Sequence, residues 1–154
     1  MPGHDAQQRR GTGTLGWKYR CLFSGSVLLI AAASHPNPGR PYLGNSDRNQ
    51  PFIGGTIEYN LIRDPVGYCM QIKHQNPRPA IEALPREPTT TIIRYNVFIK
   101  GDRPSPDGNR PDLLVDGFPD DGPGSQDRYQ VYGNVFFHNS RESLFQANGR
   151  VSIH

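Results

Sequence analysis

Two groups of side chains in this 154-residue chain have types and spacings that could do chemistry. The first is Lys73 and His74, adjacent in "YCMQIKHQ", with Asp116 at the end of the next comparable run, "LLVDGF". An amine or imidazole near a carboxylate can pass a proton to or from a substrate as general acid or base. The second is Asp120, Asp121 and Asp127 in "PDDGPGSQD". Carboxylates this close can shift one another's pKa for acid/base work, or offer hard oxygen ligands to Ca²⁺. The same loop has the composition of any exposed, turn-rich segment, so its acidity alone does not make a site. His35 and His74 stand in similar contexts, "SHPNPGRP" and "KHQNPRP", which suits a structural stack as well as catalysis. His138 follows "VFF" at an expected exposed corner.

Whether these groups meet depends on the elements that carry them, and those elements repeat. "TIEYNLI", "IIRYNVF" and "QVYGNVF" share one template: an aliphatic residue, Asn three positions later, and Ile or Phe two positions after that. The sets are Ile57, Asn60, Ile62; Ile93, Asn96, Phe98; and Val131, Asn134, Phe136, with Ile153 next in phase. The starts are separated by 36, 38 and 22 residues. A period in this range signals a solenoid or array rather than an ordinary globular core. A unit of 22 residues fits one turn of a wound strand, so the longer units carry insertions of 14 and 16 residues. These are visible as "NPRPAIEALPREPTT" and as the stretch from "GDRPSPDGNRPD" to "PDDGPGSQD", both rich in Pro, Gly and charge.

Each unit holds a second β-like run: "YCMQIKHQ", "LLVDGF" and "SLFQANG". These are short, partly β-branched or aromatic, and bounded by Gly or Pro, and no longer window has capped helical periodicity, so the chain reads as all-β. Stacked units place equal positions about 4.8 Å apart. The aliphatic residues then form a continuous core, and Asn60, Asn96 and Asn134 form a column whose side-chain amides hydrogen-bond along the stack. Asn at a bend also tolerates the left-handed backbone that a corner needs.

Composition narrows the choices. Gly 17 and Pro 15 with 34% hydrophobic residues describe a loop-heavy but ordered chain. A net charge of +3 with both signs dispersed does not indicate a nucleic-acid face. No stretch has the ~18 apolar residues of a membrane span. Cys21 and Cys69 cannot define a disulfide framework, and Cys69 in "YCMQI" reads as a buried free thiol.

Two parts are expected: residues 1–24, a poorly defined N-terminal segment, and residues 25–154, the stacked units, with the last repeat broken off so that the chain reads as a fragment. Arg9 and Arg10, the apolar run Val27 to Ala33 and the small residues after it are signal-like. The alternative, favoured by the match of His35 to His74, makes "SVLLIAAAS" the same strand as "YCMQIKH", one unit earlier.

The aliphatic-x-x-Asn-x-[Phe/Ile] units with variable loops resemble the right-handed parallel β-helix superfamily, which includes pectate lyases and related polysaccharide-active proteins. The resemblance covers roughly residues 50 to 154. It implies an incomplete right-handed parallel β-helix of a few coils with long loops, in a secreted or periplasmic protein that acts on or binds polysaccharide. The chemistry it implies is that of a lyase or hydrolase on an acidic glycan, with Lys73, His74 and Asp116 as catalytic candidates and Asp120, Asp121 and Asp127 as Ca²⁺ candidates. Of the polygalacturonase signatures N-T-D, D-D and G-H-G, only the pair Asp120-Asp121 is present. The pectate lyase Arg-x-Pro-x-x-Arg signature is also missing, since Arg103 and Arg110 have the wrong spacing. A non-catalytic β-helix scaffold, or a module binding a glycan or other partner, is therefore kept as the alternative.

Overall fold

The computed structural model describes residues 18–19, 26–27, 42–44, 47–80, 84–106 and 108–154. No helix occurs among the described residues, so none there is long and apolar enough to cross a membrane. The strands, in chain order, are β1 (Lys18–Tyr19), β2 (Ser26–Val27), β3 (Tyr42–Leu43), β4 (Thr56–Glu58), β5 (Leu61–Arg63), β6 (Met70–Ile72) and β7 (Thr90–Arg94). They continue with β8 (Val97–Ile99), β9 (Leu113–Val115), β10 (Arg128–Tyr132), β11 (Val135–Phe137), β12 (Phe145–Ala147) and β13 (Val151–Ile153).

They form three sheets: sheet A in the order β1-β3-β6-β9-β12, sheet B in the order β2-β4-β7-β10-β13, and sheet C in the order β5-β8-β11. Every pairing is parallel. From β4 onward the chain visits B, then C, then A, and returns to B one strand further along. This all-β stack of short parallel strands is compatible with a parallel β-helix.

The repeat template sets the register. Ile57 lies beside Ile93, Ile93 beside Val131, and Val131 beside Ile153 in sheet B. Ile62, Phe98 and Phe136 align in sheet C. In sheet A, Met70, Leu113 and Phe145 form one inward column and Ile72, Val115 and Ala147 the next. Alternation along each short strand buries the middle residue of β4 and β5 and turns its neighbours outward. Apart from Ala147 and Ile153, which are exposed on the last circuit, the inward columns meet in one apolar cluster, in which the rings of Phe98 and Phe136 stack at 5.0 Å. The free thiol of Cys69 lies fully buried in it, and burial pushes its pKa up.

Between sheets B and C the chain turns on two residues. Asn60 Nδ2 donates to Asn96 Oδ1 at 2.8 Å, and Asn96 Nδ2 donates to Asn134 Oδ1 at 2.9 Å. The same amides donate to backbone carbonyls of Glu58, Ile57 and Arg94, or Ile93 and Tyr132. The left-handed residue is not the asparagine but the one before it: Tyr59 (φ 57), Tyr95 (φ 54) and Gly133 (φ 61). The preceding residue makes the bend, and the bend aims each amide at the carbonyls it must satisfy. A Cβ at Gly133 would lie 2.6 Å from the Tyr95 ring, so that ring occupies the space a side chain would need.

One sequence expectation is corrected here. Ser26 and Val27, which open "SVLLIAAAS", pair with Thr56 and Ile57 in sheet B, and the strand beside β6 in sheet A is Tyr42–Leu43. The backbone register of the inward positions, rather than the His35 and His74 match, decides the pairing. His35, Cys21 and the remainder of the signal-like run lie outside the described residues.

Candidate functional site

Sheet A continues one position beyond its strands through backbone bonds: Lys73 N to Leu43 O at 2.9 Å, Asp116 N to Ile72 O at 3.0 Å and Asn148 N to Val115 O at 2.9 Å. These bonds place Lys73, Asp116 and Asn148 in one column on successive circuits. Their position is two residues after Gln71, Leu114 and Gln146, so by alternation they stand on the outer side of the sheet. Lys73 and Asp116, chosen from sequence as residues of neighbouring runs, are thus neighbours in space.

They do not neutralise each other, since no ion pair joins them. The Lys73 ammonium lies 5.6 Å over the ring of Tyr42, and Asp116 Oδ1 accepts from the backbone N–H of Gly117 at 2.8 Å. His74 belongs to the next position. A Cβ at Gly117 would stand 3.2 Å from His74 Nδ1 and 3.1 Å from Asn148 Nδ2, so the two side-chain tips converge over the bare Gly117 backbone. The result is a cation, a carboxylate, an imidazole and an amide on three adjacent circuits. Such a set can pair an anionic group and hydrogen-bond hydroxyls.

The acidic loop is divided. Asp120 and Asp121 are exposed, and no hydrogen bond or ion pair ties them to the Lys73 column. Asp127 is buried: Oδ2 takes an ion pair from Arg78 Nη2 and a 2.9 Å hydrogen bond from Thr89 Oγ1, and Oδ1 accepts from Thr89 N at 2.8 Å. Arg78 also donates to the carbonyls of Pro85 and Glu87, so this pair joins the two long connections from sheet A to sheet B. Among the described residues no three His, Cys, Asp or Glu side chains gather as a group that could hold a metal. Asp127 is committed to the buried guanidinium of Arg78.

A second polar column escaped the sequence reading. Glu58, Arg94 and Tyr132 are in register on the outer face of sheet B. Arg94 Nε donates to Glu58 Oε2 at 2.6 Å and Nη1 to Tyr132 Oη at 3.0 Å. The bonds to Tyr132 and Glu58 raise the Arg94 pKa above its already high value. Tyr132 in turn stacks on His154 at 5.1 Å. Its signal lies in the template itself, one residue after each aliphatic start. Unlike the Lys73 column, it satisfies its charges internally.

Comparison of the chain with protein-family models, with curated proteins and with solved structures finds no match.

Proposed function

We propose that the chain forms coils of a right-handed parallel β-helix of the pectate lyase-like kind, secreted or periplasmic, and that it binds acidic polysaccharide along the outer edge of sheet A. One observation carries this reading: Lys73 and Asp116 stand on adjacent circuits without pairing, beside His74 and Asn148 converging over Gly117. Adjacent parallel strands are about 4.8 Å apart. A polymer lying across them meets one polar side chain per coil, so a carboxylate on one sugar can reach Lys73 while hydroxyls of the next reach Asp116 and Asn148. Solvated ion pairs and hydrogen bonds of this kind give modest affinity per sugar and gain from the length of the polymer.

The test is binding of the full chain to an array of neutral and acidic glycans, with Lys73→Ala and Asp116→Ala beside it. Acidic glycans should bind, and Lys73→Ala should weaken them by about tenfold or more, roughly 1.4 kcal/mol, with the melt unchanged. Failure of the parent to bind any acidic glycan, or equal binding by Lys73→Ala, would sink the proposal. Release of unsaturated uronate by the parent but not by Lys73→Ala would extend it to catalysis, with the Lys73 amine taking the proton beside the uronate carboxylate.

A further inference from the structure

The corner between sheets C and A buries charge that neither polar column uses. Asp112, immediately before β9, has no solvent exposure. Its Oδ1 accepts one hydrogen bond, from Asn139 Nδ2 at 3.1 Å, and its Oδ2 is buried without a partner. The cation Lys100 acts on it without reaching it as a salt bridge, since Lys100 Nζ donates instead to the carbonyl of Arg110. Lys100 is itself buried, and burial lowers its pKa. The other groups facing this point are the thiol of Cys69, from the residue before β6, and the exposed His138, from the end of β11. His138 Nε2 is held 2.7 Å from Asp102 Oδ1, so its attraction is shared with a closer carboxylate. Ser143 Oγ, in the segment leading to β12, is a further buried polar atom without a partner.

A buried carboxylate with one amide donor and no ion pair is costly, whereas a neutral carboxylic acid in the same place is not. We propose that Asp112 is kept as a neutral acid in the closed corner, and that its ionisation loosens the segments 108–112 and 138–144, which hold it. Loosening gives the charge two ways out, toward water or toward Lys100 drawn off the Arg110 carbonyl. Burial pushes the Asp112 carboxyl up to about 6 from an ordinary 3.8. The sign follows from that direction: the raised value stabilises the closed form fully below about 4, and the stabilisation is lost as pH rises through about 6. The device is thus closed in acid and opens toward neutrality.

The proposal is tested on the full chain by hydrogen exchange read by mass spectrometry at pH 5 and pH 8, corrected for intrinsic rates. Segments 108–112 and 138–144 should open about tenfold or more readily at pH 8, while β7 and β10 keep their protection. Asp112→Asn, which cannot ionise, should remove that pH dependence. Carbon-13 carboxyl NMR of the unaltered chain gives the second measurement and does not depend on the variant folding. A titration of Asp112 at or below pH 4 would overturn the proposal. So would protection of these two segments that is the same at both pH values, or a pH dependence that Asp112→Asn leaves intact.

Discussion

The turn from sheet B to sheet C and the connection from sheet A to sheet B solve the same problem in opposite ways. Both must satisfy polar groups inside a stack of parallel strands. The B–C turn does so with the same atoms in every circuit: Asn60 finds Asn96, and Asn96 finds Asn134. The A–B connections use different atoms each time, and the buried Asp127 of one finds Arg78 and Thr89 of the one before. Where a polar group's partner is its own equivalent one circuit on, sequence must repeat. Where the partner is something else, sequence is free to vary, and variation can bring individual side chains such as Lys73 and Asp116 to the surface.

The comparison can be broken at its strongest point first. Asp127→Ala leaves the Arg78 guanidinium charged, buried and unpaired, and should cost about 4 kcal/mol in urea unfolding; a loss under ~1 kcal/mol would show that the connections do not lock each other. Asn96→Ala, in the middle of the ladder, removes two donors and an acceptor that serves Asn60, and should cost about 3 kcal/mol. Asn60→Ala should cost less, because Asn60 Oδ1 has no partner to lose; equal costs would argue against a ladder that acts through its neighbours. Gly133→Ala places a methyl group against the Tyr95 ring in left-handed backbone and should cost about 1–2 kcal/mol, readable as a fall in Tm. Lys73→Ala lies at the small end, below about 0.5 kcal/mol, and its effect should appear in glycan binding alone.

The same division explains what the sequence could and could not reveal. The inward positions Ile57, Ile93, Val131 and Ile153 and the asparagine column were legible because their physical partners are copies of themselves. The left-handed residue was not, since Tyr59, Tyr95 and Gly133 share a backbone conformation and no side chain. Lys73 and Asp116 could be chosen as a neighbouring pair from the order of the β-like runs, but Asn148 and Gly117 could not, because their part is to leave room or supply an amide. Asp127 sits in a stretch with the composition of an exposed loop, and its burial depends on Arg78, 49 residues away. The Glu58, Arg94 and Tyr132 column lay inside the template but is made of three unlike residues, so a search for likeness passed over it.

The asparagine ladder also has a direction. Asn60 gives its amide hydrogen to Asn96 and Asn96 gives its own to Asn134, so the amide dipoles point the same way and reinforce one another. The row is a small vector along the stack, with its electronegative end at Asn60 Oδ1 and its electropositive end at the Asn134 amide, which is spent on the carbonyls of Ile93 and Tyr132. The Asn60 end therefore discriminates by sign. Asn60 Oδ1 is buried without a donor, so a hydroxyl or an amide N–H packed against it would complete the row, whereas a carbonyl there would be repelled.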